Sequence, residues 1–210
     1  MEKREGKVKD LVEKLQAGEL TPKEAKRGMK KRGLSEQESW KWGLSGFIVW
    51  VTYFILWLPL NLKFSAQLPI IHFPGIVIYV SLVLLAIGTF FTLWLDYSHR
   101  KRGGLKESGE TIIFYRDGPL RIMRHPGGFG FMIWFIFLPI TLSAYVPFTF
   151  LSVAAITIIV VFHYYAILVE ERFNIRKWGN QYQQYMKEVP RFNFIRGLWN
   201  LGKRGDANTR

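Results

Sequence analysis

The chain has 210 residues, 49% of them hydrophobic and 21% charged, and this length allows one domain. The two kinds of residue are segregated along the sequence, as is typical of an integral membrane protein. The sequence contains no cysteine, which excludes disulfides, thiolate chemistry and cysteine-based zinc sites.

Residues 1–43 precede the first apolar run, and their pattern predicts a basic, cytoplasmic helical hairpin. Thr21 is expected to be the N-cap of the second helix, with Pro22 in its first turn. Thin apolar stripes follow both helices, at Leu11, Val12, Leu15, Ala25 and Met29. We expect a solvated extension, with a protein partner or the bilayer surface as alternative contacts of these stripes.

Residues 44–210 are expected to form the membrane domain. Its four long uncharged stretches are about Leu44–Leu62, Phe73–Leu95, Gly128–Ala144 and Pro147–Val169. The last two belong to one uncharged run of 43 residues, Gly127–Val169. As a helix this run would be about 64 Å long, so it must cross a hydrocarbon core of about 30 Å twice. We therefore predict an all-α, polytopic membrane bundle with about four transmembrane helices.

The distribution of positive charge predicts the orientation. Of 29 Lys and Arg residues, 12 lie in residues 1–43, seven in 96–126 and nine in 170–210, whereas the loops on the other side contain only Lys63. The positive-inside rule therefore places both termini in the cytoplasm. Since attraction to anionic lipid explains the net charge of +13, we expect no nucleic-acid partner.

The chain after Val169 is charged and amphipathic. Trp178, Tyr182, Tyr185 and Met186 recur there at helical spacing. This pattern predicts a C-terminal helix that lies along the cytoplasmic interface.

Polar residues at the cytoplasmic ends of the third and fourth spans define the candidate site. Because these spans form a hairpin, Arg124 and His125 should lie near Glu170 and Glu171. The segment Pro126-Gly127-Gly128 opens the third span with exposed amides that can approach a ligand closely. Ordinary interfacial charges are the alternative interpretation of this cluster.

His163 lies about two turns inside the fourth span. A polar side chain at that depth is a functional candidate. The favoured interpretation is a histidine hydrogen-bonded to a neighbouring helix.

These residues stand in a recognisable order. Arg124-His125-Pro126 opens a helical hairpin and Glu170-Glu171 closes it. Further matching positions are Gly118, Gly130, Trp178, Gly179, Tyr182, Tyr185, Val189 and Pro190. Over about residues 110–195 the chain resembles the isoprenylcysteine carboxyl methyltransferase and phospholipid methyltransferase family.

The resemblance implies an S-adenosylmethionine site at the cytoplasmic mouth of the hairpin, with Glu170 and His125 as catalytic residues. The implied cofactor-binding residues are Phe114, Tyr115, Gly118, Leu120, Arg124, His125, Pro126, Gly127, Gly128, Gly130, Glu170 and Glu171. The implied activity is methyl transfer to a lipid or lipidated acceptor, such as an isoprenylcysteine carboxylate.

The sequence departs from the family pattern at three positions. Leu120 and Gly128 stand where the family has tyrosine, and Ala166 stands where prenylcysteine enzymes have arginine. These departures leave two alternatives open. One is a non-catalytic membrane protein that retains the fold, and the other is an NADPH-dependent reductase of the sterol type.

Overall fold

The computed structural model describes residues 2–34, 40–101, 114 and 116–207. Every regular element in these ranges is helical, which confirms the all-α prediction. The α-helices are α1 (Glu2–Gln16), α2 (Pro22–Lys31), α3 (Trp40–Ile55), α4 (Asn61–Phe64), α5 (Gly75–Lys101), α6 (Pro126–Thr141), α7 (Phe150–Glu188) and α8 (Phe194–Ala207). A π-helical segment (Leu56–Leu60) joins α3 to α4, and Gly118–Arg121 forms a 3₁₀ turn.

Three helical segments are long and apolar enough to cross a membrane: Gly43–Phe64, Gly75–His99 and Phe150–Glu188. They confirm that the chain is a helical membrane protein. Helix α6 is apolar but has only 16 residues, about 24 Å, which is less than a hydrocarbon core of about 30 Å. The third predicted span, Gly128–Ala144, corresponds to this short helix, which begins at Pro126 and ends at Thr141.

The helices form two compact units. The membrane unit consists of residues Trp40–Thr92 and Gly127–Ile167, and the polar unit consists of Met1–Ser39, Leu93–Pro126 and Leu168–Arg210. Helices α5 and α7 each contribute residues to both units.

Inside the membrane unit, α5 and α6 approach closely at two glycines. A Cβ atom on Gly130 would lie 2.2 Å from Thr92 Oγ1 and 2.5 Å from the Gly88 carbonyl oxygen. The Trp134 indole donates a hydrogen bond to Thr89 Oγ1 at 3.0 Å beside this contact. Small residues are typical where membrane helices pack backbone to backbone.

The loop before α5 and the turn before α7 lie at the same end of the membrane unit. The amide of Ile71 donates to the carbonyl of Phe148 at 2.7 Å, and the rings of Phe73 and Phe148 are 4.9 Å apart. Helix α6 leads into this turn, so it runs antiparallel to α5.

A buried cluster of hydrogen-bonded polar side chains joins α4 to the start of α7 in the same unit. The Asn61 amide donates to Ser152 Oγ at 2.9 Å, and the Thr149 hydroxyl donates to Asn61 Oδ1. Asn61 also donates to the carbonyls of Leu56 and Trp57. Pro59 lies inside the π-helical segment and has no amide hydrogen to donate there.

His163 corrects a prediction. Its Nδ1 atom lies 3.0 Å from the carbonyl oxygen of Ile159, one turn earlier in α7, instead of bonding to a neighbouring helix. The ring packs among aromatic side chains, with the Phe135 ring centroid at 4.9 Å. The Nδ1 atom is therefore satisfied within its own helix.

In the polar unit, the N-terminal hairpin forms as predicted. Thr21 caps α2: its hydroxyl accepts from the Glu24 amide at 3.3 Å, and the Thr21 amide donates to the Glu24 carboxylate at 2.8 Å. Arg32 and Asp10 join the two helices through a bidentate ion pair.

The apolar side of this hairpin is covered by the chain itself. One cluster of buried side chains contains Val8, Leu11, Ala25, Met29, Leu34, Trp178, Tyr182, Tyr185 and Val189. The prediction that the aromatic residues of this set lie along the bilayer interface was wrong, because they form the core of the polar unit. The C-terminal helix that exposes apolar side chains is α8, where Ile195, Leu198 and Trp199 are exposed.

Candidate functional site

The candidate site lies within the polar unit, where three separated segments meet. Arg124 and His125 lie between the 3₁₀ turn and α6, Glu170 and Glu171 lie on α7, and Arg191 follows α7. Gly118 opens the 3₁₀ turn with φ at +57°, and a Cβ atom there would lie 2.9 Å from Ser98 Oγ. Glycine therefore fits this turn in both conformation and space.

Glu171 is the centre of the cluster, and its side chain is only 4% exposed. Its Oε1 atom accepts from Arg124 Nε at 3.1 Å and from Arg191 Nε at 3.1 Å. Its other oxygen accepts from Arg191 Nη2 at 2.5 Å. A buried carboxylate with two guanidinium partners is held as an anion, because each partner offsets part of its desolvation.

His125 lies between the two carboxylates. Its Nε2 atom is 3.2 Å from Glu171 Oε1 and its Nδ1 atom is 3.4 Å from Glu170 Oε2. Burial of the ring disfavours the cation, but Glu170 and then Glu171 outweigh it and raise the pKa of His125 to about 9. The imidazole is therefore protonated at neutral pH, with an N–H group for each carboxylate.

Arg124 connects this cluster to the end of α7. Its Nη1 atom donates to the carbonyls of Met186 and Val189 at 2.6 and 3.0 Å, and its amide donates to the Pro190 carbonyl at 3.0 Å. Helix α7 is broken at Gly179, where φ is +50° and ψ is −123°. This break changes the direction of the chain before residues 186–191 meet Arg124.

The other predicted site residues of the polar unit have packing or backbone roles. Phe114 stacks on Trp178 with ring centroids 5.5 Å apart, and the Leu120 carbonyl accepts from Tyr185 Oη at 2.7 Å. Pro126 is buried at the start of α6, and Tyr115 lies outside the described residues.

The predicted glycines Gly127, Gly128 and Gly130 belong to the membrane unit. The structure brings Arg124, His125, Glu170 and Glu171 together, as the hairpin of the third and fourth spans predicts. Gly130 has a packing role against α5, described above.

Sequence reasoning missed three polar residues of this region. Arg191 directly follows the Val189-Pro190 pair of the motif. Asn174 and Lys177 lie four and seven residues after Glu170, so all three residues lie on one face of a helix. This spacing is the signal that could have found them.

The members of the cluster differ in their access to a ligand. The side chains of Arg124, His125 and Glu171 are 7%, 5% and 4% exposed, whereas that of Glu170 is 35% exposed. Glu170 is therefore the carboxylate that can meet a ligand from solution. No group of three His, Asp or Glu side chains within the described ranges is placed to hold a metal ion.

No protein-family model, curated protein or solved structure matches this chain. The resemblance to the membrane methyltransferases therefore stays a prediction from the motif.

Proposed function

We propose that the protein is an integral membrane methyltransferase that uses S-adenosylmethionine. The observation that carries this proposal is the single buried cluster formed by Arg124-His125 and Glu170-Glu171, 46 residues apart in sequence. Surface charges at span ends would be solvated separately, whereas these side chains share hydrogen bonds. Their order along the chain is that of the methyltransferase motif.

Two groups near the cluster suit this cofactor. Glu170 offers a partly exposed carboxylate for an ammonium or a ribose hydroxyl. Asn174 is 4% exposed, and its Oδ1 atom has no hydrogen-bond partner among the described residues. A buried amide oxygen without a partner is costly, so a ligand N–H group would stabilise it.

When bound, the cofactor supplies a methyl group on a sulfonium, which an acceptor displaces in line. The chain's contribution is positioning in a site that excludes water. Protonated His125 is unsuited to remove a proton from the acceptor at neutral pH, because its pKa is about 9. Glu170, with its partly exposed side chain, is the base for an amine acceptor, while a carboxylate acceptor needs none.

The acceptor is proposed to be a lipid or a lipidated molecule. Three helices long and apolar enough to span a membrane support a bilayer setting. Where prenylcysteine enzymes have arginine, the chain has Ala166, so a neutral or amine-bearing lipid suits it better than a prenylcysteine carboxylate.

We also propose that α6 counts as a fourth, short span and that both termini are cytoplasmic. The charge-free sequence of α6, its contact with α5 and its entry into the turn at residues 142–149 support this topology. Under it, 28 of the 29 basic residues obey the positive-inside rule.

Calorimetric titration of the purified protein in nanodiscs tests the function. We expect S-adenosylmethionine to bind and NADPH not to bind. Binding of NADPH alone would favour the reductase alternative. Binding of neither would favour a non-catalytic protein in which the Glu171 network has only a structural role.

A further inference from the structure

We infer that helix α8 is an interfacial anchor whose exposed apolar face lies in the headgroup region of an anionic lipid surface. The occupant of this face is the bilayer in which the protein resides, and not a second protein. The inference goes beyond the proposed function and does not depend on it, because it needs neither a cofactor nor a reaction.

One side of α8 is packed on the polar unit. A Cβ atom added to Gly197 would collide with the carbonyl oxygen of Ile122, so the two backbones are in direct contact there. About one turn further along, the Asn200 side-chain amide donates to the carbonyl of Glu188 at 3.0 Å. These contacts fix which side of the helix faces the protein.

The other side of α8 is apolar and exposed. Ile195, Leu198 and Trp199 follow one another at intervals of three residues and one residue, which places them on a single face of the helix. Their exposed fractions are 70%, 48% and 67%. Contact of three large apolar side chains with water is unfavourable, and a contiguous apolar face of this kind marks an interaction surface.

The other residues of α8 favour a lipid surface as the occupant. The helix contains three basic residues, Arg196, Lys203 and Arg204, against a single acidic residue, Asp206. A helix with tryptophan and leucine on one face and basic residues beside it lies in the plane of a membrane interface, where anionic headgroups attract its positive charge. Tryptophan is also enriched at that depth of the bilayer.

The contact with Ile122 ties α8 to the segment from which an apolar helix starts. Ile122 lies four residues before Pro126, where α6 begins, and four residues of extended chain span at most about 14 Å. Helix α6 is apolar and continues into the membrane unit. A lipid surface at the start of α6 is therefore within reach of α8.

Spin labels measure the surroundings of α8 in the full chain. Because the native chain has no cysteine, a nitroxide can be attached to one introduced cysteine, at Ile195 or Leu198 in α8 or at Gln184 as the control. Gln184 is an exposed polar residue of α7. Each labelled protein is placed in nanodiscs of phosphatidylcholine with or without phosphatidylglycerol, one copy per disc. Oxygen, which concentrates in lipid, and neutral nickel ethylenediaminediacetate, which stays in water, then compete for access to the label.

In discs that contain phosphatidylglycerol, we expect both α8 labels to be reached by oxygen and protected from the nickel complex. Their depth should be about 5–10 Å into the boundary between headgroups and acyl chains, whereas the Gln184 label should be reached by the nickel complex. Access of the nickel complex to both α8 labels would place this face in water and overturn the inference. Protection from both reagents would show that protein covers the face, and would overturn it as well. Ile195 and Leu198 are both exposed, so either cysteine variant remains informative if the other misfolds.

Removal of two charges tests the attraction to anionic lipid. Arg196→Gln combined with Lys203→Gln should make the Leu198 label shallower in discs with phosphatidylglycerol and should have no effect in phosphatidylcholine alone. Lys23→Gln combined with Lys30→Gln is the matched control, because it removes the same charge from two exposed residues of α2. An equal shift for the two pairs, or no shift for either, would overturn the attraction of α8 to anionic lipid. None of these outcomes depends on whether the protein binds S-adenosylmethionine, so the proposed function is tested separately.

Discussion

Glu171 accepts hydrogen bonds from Arg124, Arg191 and His125, whereas Glu170 has only His125 as its partner among these side chains. Their roles should separate accordingly: Glu171 stabilises the polar unit and Glu170 contacts the ligand. Removing one member of a buried ion pair leaves its partners uncompensated.

Glu171→Gln should therefore lower the free energy of unfolding by about 3 kcal/mol, and Glu170→Gln by clearly less. Thermal unfolding of both variants in the same detergent measures this difference. An equal or larger loss for Glu170→Gln would contradict the assignment of Glu171 as the structural carboxylate.

The pH dependence of stability should reveal His125. Its pKa is raised from 6.5 in the unfolded chain to about 9 in the folded protein, so its contribution is fully present below pH 6.5. That contribution is lost as the pH rises through about 9. The unfolding midpoint of the wild-type protein should fall over this range, and that of His125→Gln should fall less. Parallel pH profiles for the two proteins would show that His125 is not protonated in the folded state.

Among the helices, α8 is held by a contact that only glycine permits. A Cβ atom on Gly197 would lie 1.8 Å from the Ile122 carbonyl oxygen, whereas one on Gly202 would have no atom within 4 Å. Gly197→Ala must therefore displace α8 or the segment before His125. Overpacking of this kind costs about 1–3 kcal/mol.

Gly202→Ala, in the same helix, is the control and should be neutral or slightly stabilising. Unfolding midpoints and limited proteolysis near α8 compare the two variants. Equal behaviour of the two alanine variants would mean that α8 does not pack on Ile122.

Local features of these helices were predictable from the sequence. The N-cap at Thr21 is formed by residues that are close in sequence, and the long apolar helices follow from the composition of each run. The packing of Trp178 against the N-terminal hairpin was not predictable, because an aromatic stripe at helical spacing fits a bilayer surface and a protein core equally well.

The candidate site was likewise only partly predictable from the sequence. The hairpin topology predicts that His125 meets the Glu170–Glu171 pair, because the ends of adjacent spans are neighbours. The burial of Asn174 and Lys177 depends on which face of α7 points into the polar unit, and that direction follows from tertiary packing and not from the residues next to them in sequence.

For the whole molecule, the long uncharged stretches predict four spans, and the distribution of positive charge predicts cytoplasmic termini. Cysteines at Glu5, Gly104 and Gly205 should resist an impermeant thiol reagent in intact cells, and a cysteine at Gln67 should react. The native chain has no cysteine, so any labelling of the protein comes from the introduced residue. Labelling of the Gly104 position alone would contradict the four-span topology.

The central claim is that the buried cluster is one wall of a cofactor site, and the most direct test is the affinity of Glu170→Gln for S-adenosylmethionine. A charge-assisted hydrogen bond contributes about 1.5–3 kcal/mol, so binding should weaken about tenfold to a hundredfold. His125→Ala should weaken binding by a similar factor, and the double variant should be less than additive if both residues act on one ligand. Unchanged affinity in well-folded Glu170→Gln and His125→Ala proteins would contradict the assignment of the site.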